Sequence, residues 1–241
     1  MVELQGDAKQ QYVAGLFSRI VGRYDLMNDL MTGGLHRVWK ARTARIATQG
    51  LSGNALDVAG GTGDLGLAVA RRPGIEQAMV LDLLPGMIAK ANSKAASAGL
   101  ADKMSFLVGD ALDLPFPDSR FSCCTAGFSL RNMPGLEGVH RAIAEMARVV
   151  RPGGRVAVLE LTPMAKGGLT PIARWYFHQV VPLMGKVIAG DRAAYTYLPR
   201  SVDQFIGAEA LADVFKAAGL AQVGYRIMGF GSVAVHWGNK P

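Results

Sequence analysis

Cysteine is scarce. The chain holds two, adjacent at Cys123-Cys124 inside an apolar run. Vicinal cysteines rarely bond to each other, and two alone lack the ligand spacing of a zinc site, so neither a disulfide framework nor a structural zinc is expected. Both read as buried structural residues. The four histidines, His36, His140, His178 and His236, are dispersed and form no metal motif. Long apolar runs are missing too: none approaches the ~18–20 residues that cross a bilayer. The opening MVELQGDAKQ lacks the charged start and apolar core of a secretory signal, so a cytoplasmic location is expected. Repeats and Pro/Gly/Ser-rich linkers are also absent. What remains is 241 residues, 50% apolar and 19% charged, the composition of a packed globule. That length suits one substantial α/β domain with an appended lobe.

The formal charge is +7. Between 141 and 200, nine Lys or Arg face three acids. Such an excess suits nucleic acid, an anionic membrane surface, or solubility alone. No Arg-rich arm or aromatic RNA-stacking motif accompanies it, so no nucleic-acid partner is expected.

Residues 7–50 read as helical. Tyr12, Leu16 and Ile20 recur at intervals of four, and Leu35, Val38, Trp39 and Ile46 mark a second face, with Gly33-Gly34 as a break between them. From Ala55 short apolar runs alternate with helical patterns. Strands are expected at 55–59, 78–82, 104–109, 121–126 and 155–161, and helices near 64–71, 86–98, 136–150 and 208–218. The alternation implies a mainly parallel sheet covered on both faces, wound by right-handed crossovers into a Rossmann-like α/β sandwich. Runs at 222–228 and 232–237, joined by Gly229-Phe230-Gly231, imply a C-terminal antiparallel hairpin.

The stretch 54-NALDVAGGTGDLGLAVA-70 contains G-x-G-x-x-G, and Asp82 follows about twenty residues later, as in a dinucleotide fingerprint. The neighbouring acids argue for another ligand. Gly60, Gly61 and Gly63 let the backbone turn and approach a ligand closely, but Asp57 and Asp64 flank them. Near a pyrophosphate those carboxylates repel; near an ammonium and a sulfonium they attract. Asp82 is suited to ribose hydroxyls and Asp110 to an adenine amino group. S-adenosylmethionine therefore fits better than NAD. The tight turn Pro152-Gly153-Gly154 entering the next strand agrees with a class I methyltransferase with a seven-stranded sheet.

Two segments carry a more specific likeness. The stretches 24-YDLMNDLMTGGLHRVW-39 and 148-RVVRPGGRVAVLELT-162 resemble the signature regions of the ubiquinone/menaquinone biosynthesis C-methyltransferase family, the demethylmenaquinone methyltransferase type. The run 115-PFPDSRFSCCTAGFSLRNM-133 is similar to the region around that family's Phe-Gly-Leu-Arg-Asn motif. The run 182-PLMGKVIAGDRAAYTYLPRSVDQF-205 resembles its substrate-side segment. Departures are few: Thr32 and Thr162 stand where Ser or another small residue is usual, Ser129 replaces Gly, and Gly127 stands where some members carry Ser. The resemblance implies methyl transfer from S-adenosylmethionine to a ring carbon of a polyprenylated quinol precursor, either demethylmenaquinol or the benzoquinol of the ubiquinone pathway. It divides the chain into a helical cap, 1–50, and a methyltransferase domain, 51–241, with a substrate-side insertion about 163–205.

On this reading Asp57, Gly60, Gly61, Thr62, Gly63 and Asp64 hold the cofactor from the first loop. Asp82, Leu83, Asp110, Ala111 and Gly127 hold it from the next strands. Arg131 is expected to stabilise the developing phenolate and Asn132 to orient a hydroxyl or a water, with Tyr24 and Asp25 beside them. Asp25 is a candidate base, and a helix-start acid otherwise. A water relayed by Arg131 and Asn132 serves the base role equally. Asn28, His36, Tyr176, His178 and Tyr195 are expected on the substrate side. The apolar stretch from Trp175-Tyr176-Phe177 through Met184, Val187 and Ile188, with Tyr195 and Tyr197, is a candidate groove for the prenyl tail, near enough to Lys and Arg for peripheral contact with the inner membrane surface. A homodimer is compatible with the sequence. Three other readings stand beside this one: a methyltransferase acting on RNA or another small molecule, an NAD-binding dehydrogenase, and a binding module without chemistry.

Overall fold

The computed structural model describes residues 6–163 and 174–241. The first five residues of the expected cap and residues 164–173 of the expected insertion lie outside that description. Seven strands form one sheet: β1 Gly53–Val58, β2 Ile75–Asp82, β3 Met104–Val108, β4 Phe121–Gly127, β5 Val150–Leu161, β6 Ala221–Met228 and β7 Val233–Asn239. Their order is β3-β2-β1-β4-β5-β7-β6. Pairing is parallel from β3 through β5, and β7 runs antiparallel to both β5 and β6. The expected sandwich and its terminal hairpin are both present. Cys123 and Cys124 are fully buried in β4, as expected, and unbonded.

The two-residue period of β1 assigns the layers. Leu56 and Val58 share a core with Ile143 and Met146 of α6 (Gly135–Val149) and Leu211 and Phe215 of α9 (Ala208–Ala217). Ala55 points the other way, into a core with Ala44 of α3 (Leu35–Thr48), Leu65 and Val69 of α4 (Asp64–Ala70), and Ala95 of α5 (Pro85–Ser97). Asp57 shares the side of Ala55 and so faces α4.

A third core lies apart from the sheet. α1 (Gly6–Ile20) and α2 (Tyr24–Thr32) contribute Leu16, Ile20 and Met27. They meet Val181 of α7 (Val181–Met184), which is flanked by π-turns at Tyr176–Val180 and Gly185–Ala189, and Tyr195 of α8 (Arg192–Asp203).

The helix α3 departs from its expected orientation. Leu35 and Val38 are 45% and 62% exposed, while His36, Lys40, Thr43, Ala44 and Ala47 face inward. Small residues at 44 and 47 let α3 approach the sheet layer. The Lys40 ammonium finds Asp64 2.8 Å away, which satisfies it under cover. Of the expected apolar face, Trp39 and Ile46 pack against Leu159, Val233 and Val235, whereas Leu35 and Val38 look outward. α3 belongs to the sheet layer, and of the first three helices α1 and α2 join the separate third core.

Strand order reverses at β1 and β4, where open α/β sheets hold ligands beyond the strand ends. The close approach of α4 to the sheet depends on Gly66, where a Cβ would lie 2.6 Å from Val80 Cγ2. Alanine is the better helix former by ~1 kcal/mol, but overpacking costs about 1–3 kcal/mol. Gly66→Ala is therefore expected to lower the unfolding free energy by up to about 2 kcal/mol in urea titration, with Val80→Ala in the same chain restoring part of it. An unchanged midpoint would mean that α4 has slack.

Candidate active site

Two open-mouthed cavities, with empty volumes of about 1060 and 790 Å³, adjoin at the reversal point. Phe17, Tyr24 and Phe128 line both. Backbone strain accompanies this position: Ala59, in the first cavity, and Phe128, in the shared wall, hold φ of +48° and +58°. Left-handed backbone is costly for residues with a side chain and tends to persist at functional sites.

The first cavity gathers four acids: Asp57, Asp64, Asp82 and Asp110. Asp57 Oδ1 accepts a hydrogen bond from Thr125 Oγ1 at 2.7 Å, while Oδ2 lacks a well-formed hydrogen bond. Burial pushes this carboxyl up to about 7, against the Thr125 hydroxyl and the Gly66 N–H. Asp82 accepts the N–H groups of Gly61 and Leu84, at 2.8 and 2.9 Å, and burial raises its carboxyl too. Asp82 thus secures the glycine loop and spends the Gly61 N–H that an anionic ligand would need; each of its oxygens keeps a lone pair. Asp110 accepts from Gln10 Nε2 and the Leu112 N–H, both at 2.9 Å. Asp64 is already paired with Lys40 and Lys94. Burial opposes its ionisation, but the two ammoniums outweigh that and hold it well below the usual carboxylate range. Its charge is therefore matched within the protein by two ammoniums.

The second cavity is mostly apolar, with Leu16, Phe17, Ile20, Phe177 and Leu198 in its wall. Arg131 lies there, its side chain 4% exposed and its Nη1 2.7 Å from Glu160 Oε1. The same Nη1 donates to the Phe128 carbonyl, and Glu160 Oε1 also accepts the Leu161 N–H at 2.9 Å. Burial holds the Tyr24 hydroxyl above its usual range, with Arg131 and Asn28 opposing. Burial likewise lifts Tyr195, and it lifts Tyr197 to about 12.

Among the described residues, six buried side-chain atoms lack a protein partner: Asp57 Oδ2, Ser129 Oγ, His36 Nδ1, Arg131 Nε, Tyr195 Oη and His236 Nδ1. Five belong to residues lining these cavities, two the first and three the second. Each unmet buried group costs about 1–3 kcal/mol, and that cost is concentrated in residues of these two walls.

Most of the expected residues converge. Asp57, Gly60, Gly61, Thr62, Asp64, Asp82, Leu83, Asp110, Ala111, Gly127 and Asn132 line the first cavity, and Asn28, His36, Arg131 and Tyr195 the second, with Tyr24 in both. Gly63 lines neither; a Cβ there would meet Ala91 Cβ at 2.9 Å, so it serves the packing of α5. Asp25 also lines neither. It accepts from Thr62 Oγ1 at 2.6 Å and pairs with Lys94 and Lys90, which ties α2 to the glycine loop. Tyr176 donates to the Met31 carbonyl at 3.1 Å, outside the cavity walls. His178 pairs with Asp203 at 3.1 Å, also outside them. Of the expected tail groove, Phe177, Tyr195 and Tyr197 line the second cavity, whereas Trp175 and Val187 are 62% and 72% exposed. The π-turns rotate successive side chains out of the helical register on which that expectation rested.

Sequence reasoning missed Phe128, Glu160, Lys40, Lys94 and Gln10. Glu160 had a readable signal, a lone acid inside the apolar strand RVAVLEL. The lysines and Gln10 had none, since their partners lie far off in sequence.

The ubiE/COQ5 methyltransferase family model matches residues 5–240. The chain belongs to the ubiE/COQ5 methyltransferase family. It is 41% identical to a ubiquinone/menaquinone biosynthesis C-methyltransferase of Dinoroseobacter shibae, covering 97% of this chain and 92% of that one. It is also 41% identical to a demethylmenaquinone methyltransferase of Thermus thermophilus, covering 94% and 100%. Among solved structures it resembles a SAM-dependent methyltransferase from Thermotoga maritima, with a TM-score of 0.65, 15% identity and coverage of 95% and 100%. That last likeness speaks for the fold.

The methyltransferase carries a stability penalty at Asp57. With a folded value of about 7 against an ordinary 3.8, ionised Asp57 disfavours the folded state above pH 7. The cost shrinks as pH falls from about 7 to 4 and is absent below. Asp57→Asn is thus expected to stabilise the ligand-free enzyme above pH 7, by about 4 kcal/mol at most, with no gain below about pH 4. Denaturant titrations across pH check this; a pH-independent difference would contradict it.

Proposed function

We propose that this methyltransferase moves a methyl group from S-adenosylmethionine to a ring carbon of a polyprenylated quinol. The observation that carries the reading is the pairing of a carboxylate-lined cavity with an apolar one across the wall of Phe17, Tyr24 and Phe128. Three residues of the apolar cavity's wall carry an unmet polar atom, His36 Nδ1, Arg131 Nε and Tyr195 Oη, which suits an oxygen-bearing ligand. A quinol with a prenyl tail has that chemistry: two oxygens on an otherwise apolar body.

The first cavity fits S-adenosylmethionine. Asp57 Oδ2 suits its ammonium, Asp82's spare lone pairs its ribose hydroxyls, and Asp110 its adenine amine. The same carboxylates repel a pyrophosphate, which weighs against the dehydrogenase reading. When bound, the cofactor supplies an electrophilic methyl on a sulfonium.

The protein's task is to raise electron density on the accepting carbon and to align it. Arg131 donates its unpaired Nε–H toward a ring oxygen and stabilises the phenolate. Glu160 keeps the guanidinium fixed. Asn132 sits on the cofactor side and accepts from Tyr197 Oη at 3.3 Å, so it positions α8. Tyr24 and Phe128 set the depth to which the ring enters. Exclusion of water by these aromatic walls strengthens the Arg131 contact.

We assign the enzyme to the cytoplasm, in peripheral contact with the inner membrane surface. Trp175, Leu183 and Val187 are exposed beside Lys186 and are the groups to enter lipid. No described helix is long and apolar enough to cross a membrane.

The test offers labelled S-adenosylmethionine with dithionite-reduced demethylmenaquinol or the demethylated benzoquinol, each in neutral or anionic vesicles. Label is expected on a ring carbon of at least one quinol, faster in anionic vesicles. Arg131→Lys keeps the charge and loses the planar fork, and a fall of about 10²–10³ in kcat is expected. Cofactor binding without methylated product on either quinol would remove the quinol assignment.

A further inference from the structure

His36 is 3% exposed, in the first turn of α3, and it lines the apolar cavity. Its Nε2 lies 2.8 Å from Asp29 Oδ1. An ionised carboxylate only accepts, so Nε2 carries the proton, and in the neutral ring Nδ1 is left with a free lone pair. That atom is buried and has no protein partner. Asp29 is itself fixed by the Arg37 fork, at 2.9 and 2.6 Å. Thr32, also in the cavity wall, accepts the His36 backbone N–H at 3.3 Å and donates to the Asn28 carbonyl at 2.7 Å. Ring, tautomer and backbone are therefore all held.

We propose that His36 is the general base of the reaction, taking the substrate's hydroxyl proton on Nδ1 while Asp29 holds the tautomer. Resting on the quinol reading above, the inference names the base for that chemistry. The proton moves from the ring hydroxyl to Nδ1, and the O–H bonding pair stays on oxygen, where Arg131 stabilises it. After methyl transfer the accepting carbon loses its hydrogen to solvent as a proton, and imidazolium returns its own to the oxygen. One proton is released per turnover, and His36 ends neutral.

The surroundings favour a neutral imidazole awaiting a proton. Burial lowers the His36 pKa from its usual value, opposed by the Asp29 hydrogen bond. Lys40 on α3 disfavours the imidazolium, as does the positive end of α3, while Asp64 on α4 and Asp29 on α2 favour it. Arg131, in the same cavity wall, is paired with Glu160 of β5. Tyr24 on α2 and Tyr195 and Tyr197 on α8 stay protonated. His36 is thus unprotonated at pH 7 and stops acting as a base as pH falls through a value below 6.5.

The decisive variant is His36→Gln, whose amide still reaches Asp29 but offers no basic nitrogen. General-base loss is expected to lower kcat by about 10²–10⁴ and to remove the acid limb of the kcat profile, while cofactor binding and thermal midpoint stay close to the parent. Asp29→Asn, which can donate to Nε2 and send the proton to Nδ1, is expected to lose at least about tenfold. A second readout needs no turnover: 1-naphthol bound in the presence of S-adenosylhomocysteine, at a pH where free naphthol is neutral. The parent is expected to show naphtholate absorption, and His36→Gln to lose it. Equal ionisation in both proteins, or none in either, would overturn the inference, as would a His36→Gln enzyme with full kcat and an intact acid limb. Ionisation dependent on His36 with no turnover of either quinol would support the base and overturn the quinol reading.

Discussion

Arg131 and Glu160 face each other at 2.7 Å with side chains 4% and 1% exposed. Two charges that far from water are held only because each is met, and removing either leaves the other stranded at a cost of about 3–5 kcal/mol. The pair joins the end of β5 to the turn after β4. Because Arg131 also grips the Phe128 carbonyl, the pair fixes the strained residue that separates the cavities. The positions of Phe128, Ser129 and Asn132 on one side, and of the guanidinium on the other, follow from this contact.

A second constraint is unmet hydrogen bonding. A core that left Asp57 Oδ2, His36 Nδ1, Arg131 Nε and Tyr195 Oη without partners would be poorly built if stability were the sole criterion. Five such atoms belong to residues of the two cavity walls, and one, His236 Nδ1, does not. The remaining polar atoms of the same wall residues are met, Asp57 Oδ1 by Thr125, His36 Nε2 by Asp29 and Asp64 by Lys40. Ion pairs bordering the first cavity do the assembling. Asp25 bonds Thr62 and the lysines of α5, which brings α2 over the glycine loop and puts Tyr24 between the cavities.

The sheet was legible because apolar runs of five to eight residues separated by glycine or proline leave few alternatives to parallel strands with crossovers, and the terminal hairpin announced itself by Gly229-Phe230-Gly231. The acids at strand ends were legible as a group because sequence places each one beyond a strand that the fold then aligns. Helix faces were less so. In α3 Trp39 and Ile46 of the apolar pattern pack inward, but Leu35 and Val38 look outward, since much of the interior there is held by small residues and the Lys40–Asp64 pair. Tyr176 and His178 missed the cavity because π-turns change the residues per turn, which an ideal helical spacing cannot foresee. Glu160 escaped notice, although an acid in the middle of a core strand requires a partner.

On the proposed function a cofactor and an aromatic ring meet across Phe17, Tyr24 and Phe128, with Arg131 on the ring side. A crystal structure with S-adenosylhomocysteine and 1-naphthol tests it most directly. The thioether sulfur is expected at the Tyr24–Phe128 wall and the naphthol oxygen within hydrogen-bonding distance of Arg131 Nε or His36 Nδ1. Naphthol seated with the cofactor among Asp82 and Asp110, or a closed wall between two remote ligands, would contradict it.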